Sequence, residues 1–168
     1  MAEHPNAALI RAGYAAFAAG DMGKVGELFS PDIVWHAAGS NPLSGDQVGA
    51  EAVFANFGKL VELTAGTFGQ EIHDVVANDA HVVVLVTQWW EQPHPHRGGS
   101  VHVWHVKDGK ATEAWLADLD QATSDAALTP CARVENTTVL SREGVPTSAS
   151  ANDWAPLRTS AASVLSID

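Results

Sequence analysis

The feature that most constrains the fold is a change in hydrophobic period near residue 66. Before this point apolar side chains recur every three or four residues, as in Ile10, Tyr14 and Phe17 and again over residues 53–61, which is typical of amphipathic helices. After it apolar and polar residues alternate, which is typical of half-buried strands. Helices followed by strands favour an α+β domain with the helices packed on one face of an antiparallel sheet.

Local signals indicate where the elements begin and end. A first helix should stop at Gly20, a second should begin at an Asp21 cap and be ended by Pro31, and a third should end near Gly66. A loop rich in glycine and serine follows the first strand. The predicted strands cover residues 33–36, 67–76, 81–91, 99–106 and 111–117.

The Asp108-Gly109 pair predicts a two-residue hairpin turn, which sets the faces of the last two strands. His102 and His105 then lie on opposite faces, so they cannot both line one pocket. A one-residue bulge would exchange part of this arrangement. The residues expected on the face of His102 are Trp104, Val106, Ala111, Glu113 and Trp115.

The composition changes near residue 130. Of the 39 residues from 130 to 168, ten are Ser or Thr, and no apolar period is sustained. Such a stretch buries too little apolar surface to offset the entropy cost of ordering it. We therefore expect one domain over residues 1–129 and an irregular or poorly ordered tail over residues 130–168. The alternative is a tail that docks on the domain through Trp154.

Charge and composition exclude several functional classes. A formal net charge of -11 is the wrong sign for a nucleic-acid or anionic-lipid partner. The longest apolar run, residues 82–86, is too short to span a bilayer, and the first residues lack a leader pattern. The single cysteine, Cys131, offers neither a disulfide nor a zinc pattern, and His94 and His96 are interpreted as an exposed loop. We expect a cytoplasmic protein with no metal and no cofactor.

Five segments carry a family likeness: residues 13–21, residues 27–36, Gly45, residues 108–115 and residues 120–121. They resemble the SnoaL-like branch of the nuclear transport factor 2 superfamily, which includes ketosteroid isomerase and the polyketide cyclases. The resemblance implies a cone, in which N-terminal helices pack in the concave face of a curved mixed or antiparallel sheet around one apolar pocket. Because this fold hosts isomerases, cyclases, hydrolases and non-enzymes, it says little about the reaction.

The resemblance also implies candidate catalytic residues. His36 ends the first strand near the place of the carboxylate base in the related isomerases, and an imidazole can move protons near neutral pH. Tyr14 and His102 match the two donors that support a developing oxyanion there. Asp118 with His105 matches a pair used by related cyclases. The alternative for Asp118 is a solvated carboxylate that opens the last helix.

Aromatic residues on both helices and strands indicate one enclosed pocket. Those expected to bind substrate are Phe17, Trp35, Phe54, Phe57, Trp104 and Trp115. We expect an isomerase or cyclase that moves a proton next to a carbonyl of a hydrophobic, polyketide- or steroid-like substrate.

Two alternatives to an enzyme remain open. The first is a module that binds an apolar ligand without turning it over, and the second is a dimeric interaction protein. The flat outer side of the sheet should form a homodimer through residues such as Val103, His105 and one of Trp89 or Trp90.

Overall fold

The computed structural model describes residues 3–130, which form four helices and six strands. The helices are α1 (Pro5–Ala18), α2 (Met22–Leu28), α3 (Ala50–Leu63) and α4 (Gln121–Leu128). The strands are β1 (Phe29–Ala37), β2 (Gly45–Val48), β3 (Gly69–Ala77), β4 (His81–Trp90), β5 (His96–Lys107) and β6 (Lys110–Asp118). The tail predicted for residues 130–168 lies, apart from Pro130, outside the described residues, so the domain boundary stays a prediction.

Capping side chains explain where the short helices begin. The Asp21 carboxylate accepts a hydrogen bond from the Lys24 N–H at 3.1 Å and so caps α2. Asp120 caps α4 in the same way, with 3.2 Å to the Thr123 N–H. Gly20, at φ +72°, takes the left-handed conformation that ends α1. In the part of the chain described, no helix combines the length and the apolar character that crossing a membrane requires.

Two predictions about the first strand are wrong. Pro31 does not end a helix, because α2 stops at Leu28 and Pro31 lies within β1. The pairing of β1 with β6 is irregular between Phe29 and Val34, and a proline without an N–H is tolerated where the ladder is interrupted. Gly45, which was expected to belong to the loop after the first strand, instead begins β2, a strand that was not predicted and that pairs antiparallel with β1.

The six strands form one curved, unclosed mixed sheet in the order β2-β1-β6-β5-β4-β3. The last four strands are an antiparallel meander, while β1 joins β6 in parallel. Alternate residues of β4 and β5 are buried against the helices, and we call this side the inner face and the opposite side the outer face. The predicted α+β cone is confirmed.

A bulge in β6 interrupts the hairpin that the Asp108-Gly109 turn begins. Val106 pairs with Ala111, but His105 pairs with Glu113, so Thr112 is an extra residue on β6.

The bulge changes which β6 residues face the helices. Beyond it Leu116 pairs with His102 and joins Ala114 on the inner face, while Glu113 and Trp115 lie on the outer face. The prediction that Glu113 and Trp115 share the face of His102 is therefore wrong. The prediction that His102 and His105 lie on opposite faces is confirmed.

Candidate functional site

The inner face of the sheet and the helices line a partly open cavity of about 160 Å³. Four of the predicted substrate-binding residues line it, namely Phe17, Trp35, Phe57 and Trp104. An apolar cavity of about 150 Å³ is known to hold a benzene molecule, so this space suits a ligand with one or two rings.

Two predicted pocket residues lie elsewhere. Phe54 packs in the core against Phe29, with ring centroids 5.9 Å apart, and does not line the cavity. Trp115 is on the outer face, because the bulge reverses its side of the sheet, and its ring lies 5.1 Å from that of His36.

A tyrosine–histidine pair lies in the cavity wall. Tyr14 comes from α1 and His102 from β5, and the Tyr14 hydroxyl is 2.5 Å from His102 Nδ1. His102 is only 5% exposed, and burial lowers its pKa to about 4. Burial also raises the pKa of Tyr14 above its usual value, although the nearby Trp104 indole offsets part of the rise. Both members of the pair are therefore neutral at neutral pH.

A second polar group lies on the same wall. The Gln88 amide donates to Asp118 Oδ1 at 2.5 Å, and the backbone N–H of Asp118 donates to Gln121 Oε1 at 3.1 Å. Among the described residues that line the cavity, Asp118 is the only Asp, Glu, Lys or Arg. Because His102 pairs with Leu116, Asp118 is its diagonal neighbour on the same face, roughly 7–8 Å away between Cα atoms.

Gln88 lines the cavity but was not among the predicted pocket residues. The sequence could have indicated Gln88, because every second residue from 82 to 90 faces inward and Gln88 is the polar member of that inward series. Trp90 is 1% exposed and stacks on Phe68 at 6.3 Å, while Trp89 lies under the Arg97 guanidinium. Trp90 therefore lies on the inner face and Trp89 on the outer face, in agreement with the expectation that one of the two lies on the outer side of the sheet.

His36 does not line the cavity. Its ring stacks on Trp115 on the outer face, with Nδ1 2.7 Å from Asp46 Oδ1 and Nε2 3.0 Å from Glu113 Oε1. Hydrogen bonds to these carboxylates, that of Asp46 first, raise the pKa of His36. A base for a ligand in the cavity cannot act from this side of the sheet, so the position does not fit the role expected for His36.

The expected pair of His105 and Asp118 is not brought together. His105 Nδ1 is 3.0 Å from Glu113 Oε2 on the outer face, whereas Asp118 lines the cavity. His96 is the first residue of β5 and stacks on Trp90 with 4.3 Å between ring centroids, so the expectation that His96 lies in an exposed loop is wrong. Over residues 3–130, no three His, Cys, Asp or Glu side chains are grouped so that they could hold a metal ion.

Comparison with known proteins agrees with this architecture. Residues 10–114 match the SnoaL-like domain family. An uncharacterized protein of Mycobacterium tuberculosis is 30% identical over 86 residues, which are 51% of this chain and 66% of that relative. The chain thus spans just under two thirds of that relative.

Solved structures show the same fold. Bal32a, from a soil-derived mobile gene cassette, is 32% identical, with 74% of this chain and 96% of that chain covered and a TM-score of 0.71. TerC, co-crystallized with polyporic acid, is 22% identical over 74% of this chain and 98% of its own, with a TM-score of 0.67. IdmH from Streptomyces antibioticus, a candidate polyketide cyclase, is 18% identical over 75% and 98%, with a TM-score of 0.58.

The family match extends over more than half of the chain, and its residues include the cavity-lining segments of α1 and β5. This protein therefore belongs to the SnoaL-like domain family.

Proposed function

We propose that the protein is a cofactor-independent enzyme of the isomerase or cyclase type, which moves a proton next to a carbonyl group of a small apolar molecule. One observation carries the proposal: the neutral Tyr14–His102 pair and the carboxylate of Asp118 lie on the same cavity wall as diagonal neighbours. Fold neighbours that include a candidate polyketide cyclase support it.

The chemistry follows from these positions. Asp118 takes a proton from the carbon next to the carbonyl, and the electron pair of that C–H bond moves to give an enolate oxygen. The Tyr14–His102 pair supplies a hydrogen bond to this oxygen in a largely apolar space, where such a bond is strong. Asp118 then returns the proton to another atom of the ligand, which isomerises it. Gln88 holds one carboxylate oxygen and leaves Oδ2 without a partner among the described residues.

The spacing suits this reaction. A donor sits about 3 Å from the oxygen that it binds, and a base sits about 3 Å from the atom that it deprotonates. Donor and base that are roughly 7–8 Å apart between Cα atoms can therefore reach a carbonyl oxygen and its neighbouring carbon together.

The test is exchange of the protons next to the carbonyl of 1-tetralone, a two-ring ketone, in D₂O, followed by NMR. We expect exchange above the buffer rate, and Asp118→Asn should slow it at least about 100-fold while changing binding only a few-fold. His36→Ala is the matched control and should leave exchange unchanged, since His36 lies on the outer face. Equal rates for wild type and Asp118→Asn would reject Asp118 as the base.

The second candidate is a binding module without turnover. It is favoured by the hydrogen bond that engages Asp118 and by the amide side chains in the cavity wall, which are Asn41, Asn56, Gln70, Gln88 and Gln121. This function predicts that 1-tetralone binds but does not exchange above the buffer rate, and that Asp118→Asn alters only the affinity.

We also propose that the protein forms a homodimer through the outer face of β4, β5 and β6. Half-buried Val103, His105 and Trp115 lie there, and Leu85 is 38% exposed. A two-fold axis would bring this face against its own copy. Light scattering at tens of micromolar should give a dimer, and Trp115→Glu should give a monomer, whereas Val61→Glu on α3 should not. A monomeric wild type at that concentration would reject the interface.

A further inference from the structure

We propose that the N–H of His102 Nε2 is the group that contacts a neutral carbonyl oxygen of a one- or two-ring ligand. Tyr14 is then a positioning residue, which fixes the tautomer of His102 without contacting the ligand itself. The inference rests on the proposed function only in taking the cavity as the ligand site.

The direction of the Tyr14–His102 hydrogen bond follows from the acceptors that the Tyr14 hydroxyl can reach. Among the described residues, the Tyr14 hydroxyl has one hydrogen-bond acceptor in reach, His102 Nδ1. The Trp104 indole, which lies edge-on to Tyr14 with ring centroids 6.2 Å apart, has an N–H that can only donate. The Tyr14 hydroxyl therefore donates to Nδ1. A neutral imidazole carries one N–H, so the proton of His102 is on Nε2.

His102 Nε2 is free to bind a ligand in the cavity. No hydrogen bond from the described residues reaches it, and His102 as a whole is 5% exposed and lines the cavity. The indole nitrogens of Trp90 and Trp104 are buried atoms without a hydrogen-bond partner. His102 Nε2 also has no partner among the described residues but is not one of these buried atoms, so a molecule in the cavity can reach it. A donor without an acceptor in a largely apolar wall gains free energy when a ligand oxygen pairs with it.

The charged and polar residues of the cavity wall indicate which class of ligand fits. The wall offers His102 as a donor and Asp118 as its one acidic residue, and no described lining residue is Lys or Arg. An anion would meet a like charge without a cation to offset it, so a ketone or aldehyde fits better than a carboxylate. The volume of about 160 Å³ suits one or two rings. A steroid-like ligand, as expected from the sequence, would extend out of the cavity.

Two matched ligands test the donor. 1-Tetralone and tetralin have the same two rings, and only the first has a carbonyl. We expect wild type to bind 1-tetralone about tenfold more tightly, as one extra hydrogen bond allows. His102→Phe should lose this preference and still bind tetralin, which also reports that the variant is folded. His102→Gln, whose amide N–H₂ can take the place of Nε2, should retain part of the preference. His102→Asn, whose shorter side chain reaches only the place of Nδ1, should not.

A second pair of ligands tests whether the cavity prefers a neutral carbonyl to a carboxylate. 1-Naphthoate should bind at least tenfold more weakly than 1-naphthaldehyde, because the cavity has no cation to receive a carboxylate. Equal or tighter binding of 1-naphthoate would overturn the ligand class. Failure of wild type to bind either 1-tetralone or tetralin would overturn the proposal as a whole.

The positioning role of Tyr14 has a direct spectroscopic readout. In ¹⁵N NMR spectra at neutral pH, His102 should be protonated at Nε2 and unprotonated at Nδ1. Tyr14→Phe should produce a mixture of tautomers and a smaller carbonyl preference, with tetralin binding unchanged. A proton on Nδ1 in the wild type, or a full carbonyl preference in His102→Phe, would overturn the proposal.

These outcomes separate the donor from the enzyme. A carbonyl preference that depends on His102 without any exchange of ligand protons would reject the proposed enzyme and keep the donor. Exchange that depends on Asp118, with a preference that does not depend on His102, would do the reverse.

Discussion

The two faces of the sheet shift the pKa of a histidine in opposite directions. On the inner face His102 has a neutral hydroxyl as its partner, and burial lowers its pKa to about 4. On the outer face the side chain of His36 is 25% exposed and lies between Asp46 and Glu113, whose carboxylates raise its pKa. The same type of side chain is a neutral hydrogen-bonding group on one face and has its protonated form favoured on the other. Burial without a countercharge and pairing with carboxylates shift the pKa in opposite directions.

The bulge at Thr112 keeps the two environments apart. It leaves Ala114 and Leu116 against the cavity and turns Glu113 and Trp115 to the outer face. A regular hairpin of the same sequence would pair Trp104 with Glu113 and place that carboxylate and the Trp115 indole where Ala114 and Leu116 now pack.

Changing the residue count at the bulge should have the largest effect. Inserting one alanine between Glu113 and Ala114 shifts residues 114–118 by one position, which drives Trp115 inward and Asp118 outward. Burial of misplaced side chains should cost at least about 3–5 kcal/mol of unfolding free energy, measured by urea denaturation.

Deletion of Thr112 is the matched control for the insertion. It removes the extra residue but leaves Ala114 and Leu116 on the inner face, so the protein should stay folded at a cost of about 1–2 kcal/mol. Equal losses for insertion and deletion would show that the bulge itself, and not the assignment of faces, sets the stability.

The second-largest effect should be a pH dependence of the unfolding free energy that comes from His102 on the inner face. The pKa of His102 is about 4 when folded and about 6.5 when unfolded, so the unfolded chain binds the extra proton first. Its contribution is present above about pH 6.5 and is lost as pH falls toward 4, by roughly 3 kcal/mol. Urea unfolding of wild type and His102→Phe at pH 7 and pH 4.5 measures this, and parallel losses in both proteins would contradict it.

The smallest effect should be the pH dependence of stability that comes from His36 on the outer face, and its sign is opposite to that of His102. The raised pKa of His36 means that its pairing with Asp46 stabilises the protein below about pH 6.5 and is lost as pH rises through the folded-state pKa. Since Asp46 is largely exposed, Asp46→Asn should cost only a few tenths of a kcal/mol at pH 6 and nothing at pH 9. An equal cost at both pH values, in thermal unfolding, would show that the contact does not depend on charge.

Much of the candidate site could be predicted from the sequence. Tyr14, His102 and Asp118 all line the cavity, as do Phe17, Trp35, Phe57 and Trp104. The choice of His36 conflicted with a rule that the sequence itself supplies, because Trp35 and His36 are neighbours on one strand and must face opposite sides. With Trp35 in the pocket, His36 had to lie outside it.

The sequence by itself determined the elements and their class, since helical and alternating periods are local patterns that each segment carries without the rest of the chain. Only the tertiary structure decided the addition of β2, the parallel pairing of β1 with β6 and the bulge at Thr112. These features depend on which arrangement of distant strands fills the core, and a single extra residue reverses every side chain beyond it. For that reason the sequence predicted His102 in the pocket, whereas the fold decided that Glu113 and Trp115 lie on the opposite face from it.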